Sequence, residues 1–388
     1  MNDPSPATDS VRLVVETLHR DLVIETLSDL SLVCVDPKDG LAGEDLEQSE
    51  HGAELGLTRL TVKRENALIG DTDRLLLELR RRIAARFGGW VPALGKDRES
   101  PAAAMGGTRI AMAIGFKDLP REEAPTEPPH ADVLSAQKSG TPISLHPGVR
   151  LLPPRNAAAP VRIGLIDVKQ PDSLTGFKSS TAVRAGHSVF TQDLIKRTAP
   201  AAEVELRGVL AVDDEGSTTW GIATAMVDLA VSWKADIIVM PLGGFTADGQ
   251  APLLYSRAMA RVREHSMVIA AGGNHVVREG WASGVTDTSP VWPAALPEVI
   301  AVGGAGLPLA LNGQLPWVDV MTSTSSFTAA FLEGTLRQPD GSDEKFSGYA
   351  TGTGTSFCAA YAAGAVAARM GQGMSAGEAW DSLIAERS

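Results

Sequence analysis

The sequence has 388 residues, 44% of them hydrophobic and 21% charged, which is enough to bury the core of one large domain or two medium ones. Its formal net charge of −12 argues against a broad basic face for nucleic acid or for an anionic membrane. The two cysteines, Cys34 and Cys358, are too few for a disulfide scaffold or a zinc cluster. No His, Cys or Asp grouping has metal-ligand spacing, so we expect no catalytic metal. We also expect no cofactor.

The first 29 residues spread acidic side chains among apolar ones, from Asp3 to Asp29. A signal peptide needs a basic start and an unbroken apolar run, and this stretch has neither. A membrane span needs about 18 uninterrupted apolar residues, and no segment approaches that length. The sequence therefore predicts a cytoplasmic protein with no membrane partner.

The N-terminal part mixes short β-rich runs with one clear helix. The runs are Leu32–Val35, Leu57–Val62 and Arg109–Phe116. The stretch Asp71–Phe87 opens with acids, closes with bases and stops at a glycine pair, which is the charge order that a helix dipole favours. We expect a small α+β domain over residues 1–117.

The rest of the chain contains a proline-rich stretch, followed by a region in which apolar runs recur at intervals. Nine of the 24 prolines lie between Pro120 and Pro160, which predicts an extended linker over residues 118–160. From Val161 onward, short apolar runs alternate with helical stretches. The runs are Ile163–Ile166, Ile237–Met240, Val268–Ala271 and Val299–Val302, and the helical stretches include Gly221–Trp233 and Pro252–His265. Apolar strands separated by helices predict an α/β domain with a doubly wound parallel sheet over residues 161–388.

Four polar residues stand where such a sheet would assemble a site. Asp167 and Asn274 each end an apolar run, His187 opens a helical stretch, and Ser356 lies between a glycine-rich approach and a small-residue helix. Each one by itself is an ordinary turn former or helix cap. Because sites form at the carboxyl ends of parallel strands, the four together point to chemistry.

These landmarks resemble the subtilisin-like serine peptidases. The segment Gly354–Phe357, followed by an Ala-rich helix, is similar to the family's serine segment. Asp236–Gly244 resembles the strand whose Leu-Gly-Gly end lines the primary specificity pocket, and Ala270–Asn274 resembles the oxyanion strand. Trp292–Gly303 resembles the family's proline-rich turn and the strand after it. The chain order Asp, His, Asn, Ser also matches, and the resemblance implies a subtilisin-like fold.

The resemblance also implies a role for each residue. Ser356 would be the nucleophile, which needs a base because a serine hydroxyl is weak at neutral pH, and His187 would supply that base. Asp167 would hold the imidazole tautomer, and the Asn274 amide with the Ser356 backbone N–H would bind the oxyanion. The implied substrate-binding residues are Leu242, Gly243 and Gly244, whose glycines leave room for a substrate side chain.

The sequence departs from the family around two of these residues. Val168 and Lys169 follow Asp167, where relatives have a small residue and Gly. Polar residues follow His187, where relatives have a small-residue helix; they are Ser188, Thr191, Gln192 and Asp193. Ala360 replaces a usual proline. These departures leave two hypotheses open.

The leading hypothesis is a serine endopeptidase of subtilisin type that forms an acyl-enzyme on a peptide or protein substrate. The alternative is a catalytically degenerate pseudopeptidase that binds peptides or partners. An unrelated α/β hydrolase is disfavoured, since the sequence lacks a Gly-x-Ser-x-Gly elbow. Residues 1–117 would inhibit the peptidase or recruit a regulatory partner, and the basic run at Arg80–Arg82 is either a docking patch or a solvated helix face.

Overall fold

The computed structural model describes thirteen stretches of the chain, and all structural statements concern these residues. They are residues 10–35, 52–63, 72–97, 99–100, 115–135, 159–170, 186–210, 217–246, 248–274, 286, 288–306, 315–337 and 343–385. In chain order the strands are β1 (Ser10–Glu16), β2 (Val33–Val35), β3 (Leu57–Lys63), β4 (Leu94–Lys96), β5 (Glu99–Ser100), β6 (Gly115–Asp118), β7 (Val133–Ser135), β8 (Arg162–Val168), β9 (Glu203–Leu210), β10 (Ser217–Thr218), β11 (Ile237–Met240), β12 (Met267–Ala271), β13 (Ile300–Gly304), β14 (Val320–Thr322), β15 (Ser326–Arg337) and β16 (Asp343–Thr353). The helices are α1 (Arg20–Ser28), α2 (Thr72–Arg86), α3 (His187–Thr198), α4 (Thr219–Val227), α5 (Leu253–Val262), α6 (Thr355–Met370) and α7 (Ala376–Ala385).

The chain divides into two compact units. Unit 1 contains Met1–Arg98 together with Thr218–Thr224 and Pro252–Ala258, and unit 2 contains the remaining residues. Two short pieces of the later chain, which open α4 and α5, are thus counted with the N-terminal residues. The boundaries at residues 117 and 160 remain a prediction.

Unit 1 is an antiparallel sheet with two helices. Its strand order is β2-β3-β1-β4, and β1 pairs with β3 along its whole length. Apolar residues from β1, β3, α1 and α2 share one core. The helix α2 buries Leu75, Leu76, Leu79 and Ile83, which recur at helical spacing. It ends before Gly88 and Gly89, whose positive φ angles stop the helix as the sequence predicts.

Unit 2 is built on a seven-stranded sheet in the order β7-β14-β13-β12-β11-β8-β9. Six strands are parallel and β7 pairs antiparallel at one edge. Every residue of β11, β12 and β13 is buried, because helices cover both faces of a parallel sheet. The predicted α/β class with a parallel sheet is confirmed, as is the mixed sheet-and-helix N-terminal part.

The predicted linker contains more regular structure than its prolines suggested. Within it, β7 pairs with β14 at the sheet edge, and the backbone of Ala131 is held by the hydroxyl of Tyr361 at 2.7 and 2.9 Å. The stretch 131–135 has no proline, so its backbone N–H groups can pair. Residues 136–158 lie outside the described residues, and so does most of the predicted strand Arg109–Phe116.

A long hairpin formed by β15 and β16 packs its first strand against α3, and β6 pairs with its second strand. The strand β16 leads directly into α6, a helix buried along almost its whole length. Within the described ranges, no helix combines the length and the apolar character needed to cross a bilayer.

Candidate active site

Asp167 and His187 form a buried hydrogen-bonded pair in unit 2. Asp167 is the penultimate residue of β8 and His187 is the first residue of α3. His187 Nδ1 lies 2.8 Å from Asp167 Oδ1 and 3.0 Å from Oδ2. A carboxylate can only accept, so Nδ1 carries the proton and Nε2 is left as the basic nitrogen of the neutral ring. The aspartate thereby selects one tautomer.

The start of α3 is fixed by close packing. A Cβ on Gly186, the residue before the helix, would lie 2.1 Å from the ring of Phe331. Any larger residue there would force the Phe331 ring to move, so Gly186 lets the hairpin pack closely against the start of α3. The imidazole also lies beside Phe357 of α6, with 5.5 Å between ring centroids. The histidine is thus held from both the hairpin side and the α6 side.

Thr191 supplies a contact to the same aspartate that the sequence analysis missed. Its Oγ1 lies 2.8 Å from Asp167 Oδ2 and is completely buried. The hydroxyl also lies 3.0 Å from the carbonyl of His187, one helical turn earlier. The signal was present in the sequence, since Thr191 is one of the polar residues that depart from the family after the histidine. Its position one turn after His187 puts it on the same helix face.

Ser356 lies in the first turn of α6, a helix that packs against α3. Its side chain is buried, and its hydroxyl donates to the carbonyl oxygen of Pro241 at 2.7 Å. Gly354 precedes the helix with φ near 156°, a conformation that favours glycine. For Ser356 to act as a nucleophile, its proton must turn from Pro241 toward His187.

Asn274 follows the end of β12 and is fixed by the residue before Ser356. Its side-chain Oδ1 accepts from the backbone N–H of Thr355 at 2.9 Å and from Thr355 Oγ1 at 3.1 Å. The threonine hydroxyl in turn accepts from the backbone N–H of Gly273 at 3.2 Å. Because the oxygen end of the Asn274 amide is held, the NH₂ end is the one that can donate to a developing oxyanion.

The predicted substrate-binding residues continue from the end of β11. Leu242, Gly243 and Gly244 are all buried. The backbone of Gly244 exchanges two hydrogen bonds with that of Trp292, at 2.9 and 2.8 Å. The turn that contains Trp292 therefore lies against this segment.

Cys358 lies one helical position beyond Phe357 and is completely buried. Burial raises the pKa of its thiol to about 12, so it stays protonated and unreactive. Among the residues that the structure describes, no group of three His, Cys, Asp or Glu side chains could hold a metal ion.

A family model independently matches much of this unit. The subtilase family model matches residues 184–375. That range includes His187, Asn274 and Ser356 but starts after Asp167. The contact between Asp167 and His187 thus comes from the structure and not from the family match.

Solved subtilisin-like proteases have the same fold. Fervidolysin from Fervidobacterium pennivorans, a keratinolytic enzyme related to subtilisin, has a TM-score of 0.52 and 11% identity, over 97% of this chain and 57% of its own. The epidermin leader peptide processing serine protease of Staphylococcus aureus has a TM-score of 0.49 and 11% identity, over 97% and 91%. A lanthipeptide protease has a TM-score of 0.41 and 20% identity, over 56% and 77%. At 11% identity, the similarity to fervidolysin concerns the fold.

A comparison with curated proteins finds no match to the sequence. The family match and the subtilisin-like sheet agree with each other and with the resemblance noted from the motifs. Over residues 184–375, the chain is similar to the subtilase family.

Proposed function

We propose that the protein is a serine endopeptidase that cleaves peptide or protein substrates through an acyl-enzyme. The observation that carries this proposal is the buried hydrogen bond between Asp167 and His187, beside the helix that bears Ser356. The similarity of residues 184–375 to subtilases supports peptide chemistry. The departures after His187 do not remove a catalytic group, because the imidazole keeps its carboxylate partner.

In the proposed acylation, Ser356 Oγ attacks the substrate carbonyl carbon while His187 Nε2 takes the hydroxyl proton. The new C–O bond forms as the carbonyl π electrons move to the oxygen. Asn274 and the backbone N–H of Ser356 stabilise that oxyanion. Collapse of the tetrahedral intermediate breaks the C–N bond, and the imidazolium gives its proton to the leaving amine.

Deacylation repeats these steps with water. His187 accepts a proton from the water as the oxygen attacks the ester, and returns it to Ser356 Oγ when the C–O bond breaks. Asp167 keeps its negative charge throughout and stabilises the imidazolium. Acylation needs the Ser356 hydroxyl to leave the Pro241 carbonyl, which breaks one hydrogen bond and replaces it with one to His187.

The decisive test compares two buried serines. Ser266 is also buried, and its Oγ donates to the carbonyl of Ala235 at 2.6 Å, so it resembles Ser356 in burial and acceptor but lies before β12, outside the proposed triad. A fluorophosphonate should label Ser356, and Ser356→Ala should lose on the order of 10⁶-fold in turnover, as subtilisin does without its serine. Ser266→Ala should keep both labelling and turnover.

The pseudopeptidase hypothesis makes the opposite prediction. A degenerate site would take no label at Ser356, and Ser356→Ala would bind the same peptides as the unmodified protein. Labelling without peptide cleavage would also contradict endopeptidase activity, since it would show a reactive serine that does not act on peptides.

We further propose that the N-terminal residues regulate the peptidase. Within unit 1 they contact the N-terminal halves of two later helices. Glu16 forms an ion pair with Arg257 of α5, and Asp97 accepts a hydrogen bond from the backbone N–H of Trp220 in α4. The helix α5 leads into β12 and so toward Asn274.

A recognition sequence for a site-specific protease, inserted at residue 105, tests this proposal on the folded chain. Cleavage followed by removal of the N-terminal fragment should raise the rate on a small chromogenic peptide. An unchanged rate would contradict inhibition and favour recruitment of a partner.

A further inference from the structure

The carboxylate of Asp167 accepts hydrogen bonds from three donors among the described residues. The backbone N–H of Val168 donates to Oδ1 at 2.7 Å, and the imidazole Nδ1 of His187 reaches both oxygens, at 2.8 Å from Oδ1 and 3.0 Å from Oδ2. The hydroxyl of Thr191 is the third donor, at 2.8 Å from Oδ2. Each carboxylate oxygen thus has one further partner besides the imidazole.

The single hydroxyl proton of Thr191 has three acceptors within reach. Its Oγ1 lies 2.8 Å from Asp167 Oδ2, 3.0 Å from the carbonyl oxygen of His187 and 3.1 Å from that of Ser188. A threonine inside a helix commonly donates to such a carbonyl. The carboxylate is the nearest of the three acceptors, and hydrogen bonds to an ionised acceptor are the stronger ones. The proton therefore points to Asp167.

The orientation of the carboxylate depends on the donors at its two oxygens. An aspartate carboxylate turns about its Cβ–Cγ bond with little preference of its own. Asp167 and Thr191 are both completely buried, so a lost donor would leave a buried oxygen with fewer partners, which is costly. The backbone N–H of Val168 on one side and the hydroxyl on the other therefore set the angle at which the carboxylate meets the imidazole.

We infer that Thr191 is a positioning residue for Asp167 and, through it, for His187. The inference rests on the proposed peptidase function and gives a role to one of the departures from the family pattern. The hydroxyl holds Oδ2 so that the carboxylate keeps the orientation in which it accepts Nδ1–H. Thr191 acts through the aspartate and takes no part in the proposed bond-making steps.

A second buried threonine provides a matched control. Thr224 of α4 places its Oγ1 3.0 Å from the carbonyl oxygen of Trp220 and 3.1 Å from that of Gly221. Thr191 has the same two distances to the carbonyls four and three residues before it. Thr224 thus reproduces the helix contacts of Thr191, and no carboxylate in the described part of the chain accepts from it. The pair isolates the contact with Asp167.

The first measurement is the proton NMR signal of the imidazole Nδ1–H in the resting protein, assigned by its loss in His187→Ala. Thr191→Val keeps the shape of the side chain and removes the hydroxyl, so this signal should move or broaden. Thr191→Ser keeps a hydroxyl and should leave the signal near its original position, and Thr224→Val should leave it unchanged. Thr191→Ala also removes the hydroxyl and replaces the valine variant if that protein does not fold.

The second measurement is steady-state kinetics on a small peptide. Thr191→Val should lower kcat about 10- to 100-fold with KM changed less than about 3-fold, because a misplaced base slows the chemistry and leaves binding intact. Thr191→Ser should keep kcat within about 5-fold of the unmodified protein, and Thr224→Val within about 2-fold.

An unchanged signal in Thr191→Val would overturn the inference, and so would an unchanged kcat in an active protein. An equal fall of kcat in Thr191→Val and Thr224→Val would also overturn it, since the loss would then come from the helix contacts that both threonines make. Failure of the peptidase function gives a different result, with no fluorophosphonate label at Ser356 and no cleavage of any peptide. The NMR comparison still supports or overturns the role of Thr191 in that case, because it needs no turnover.

Discussion

Each unit buries an aspartate side chain completely, Asp97 in unit 1 and Asp167 in unit 2. Asp97 Oδ1 accepts from the backbone N–H of Trp220 at 2.9 Å and from Thr219 Oγ1 at 3.2 Å, so it caps the start of α4. Asp167 instead accepts from the imidazole of His187. Both carboxylates are inaccessible to solvent, and they differ in the groups to which they are hydrogen-bonded.

The comparison shows that burial of a charge does not by itself identify a functional site. The partners of Asp97 are a backbone N–H, a threonine hydroxyl and the guanidinium of Arg59, which lies 3.6 Å from Oδ2. Burial outweighs these partners and raises the pKa of Asp97. The partner of Asp167 is an imidazole, a group that can act as a base, and this is why we propose that the Asp167 carboxylate supports a proton transfer.

The largest expected effect is a loss of turnover when Asp167, the aspartate of the proposed triad, is replaced. Asp167→Asn should lower turnover on the order of 10⁴-fold, because the amide can bind the wrong imidazole tautomer. The fall should appear in kcat for a small peptide.

The matched variant Asp97→Ala should affect folding instead. Loss of the cap should lower the free energy of unfolding by about 2 kcal/mol, as measured by denaturant titration, with turnover of the folded protein on a small peptide changed less than about 3-fold. A comparable loss of turnover in both variants would show that the contrast between the two aspartates is wrong.

Asn274→Ala should give the next largest effect. We expect kcat to fall by about 10²- to 10³-fold with KM nearly unchanged, because the amide meets negative charge only in the transition state. Steady-state kinetics on one peptide series separate the two constants. A loss expressed mainly in KM would assign Asn274 to substrate docking.

The smallest effect concerns the pH dependence of stability. The pKa of Asp97 is raised in the folded state. At a pH between the unfolded pKa of about 3.9 and the higher folded pKa, the native protein therefore binds more protons than the unfolded protein does. This carboxyl therefore contributes stability below its unfolded pKa and loses it as pH rises through the folded pKa. Relative to Asp97→Asn, the unmodified protein should gain stability as pH falls from 7 toward 4. An unfolding free-energy difference that is flat with pH would contradict the raised pKa.

The parallel sheet could be predicted from sequence because its strands are continuous apolar runs. The runs Ile237–Met240 and Val268–Ala271 correspond to β11 and β12 with at most one residue of difference. The edge strand β7 could not be predicted. Its three residues follow a proline cluster, and they form a strand only because β14 offers an edge to pair with. Local patterns do not contain that partner.

The sequence pointed to four polar residues, of which the structure brings Asp167 to His187 and Asn274 to the residue before Ser356, but the groups that surround them could not be predicted. Asp167 and His187 are 20 residues apart and meet because β8 and α3 pack together. The acceptor for Ser356 is a backbone carbonyl at Pro241, and any residue type carries a carbonyl, so sequence gives no signal for it. Thr191 was noticed only as a departure from the family. Its contact with Asp167 depends on the rotation of α3 about its own axis.

The contact between Thr355 and Asn274 links the proposed nucleophile to the proposed oxyanion donor. Thr355 is covalently joined to Ser356, and it holds the amide oxygen of Asn274 with both its backbone N–H and its hydroxyl. The Asn274 side chain and the Ser356 backbone are therefore tied together through a single residue. A substitution at Thr355 would disturb the orientation of both groups at once.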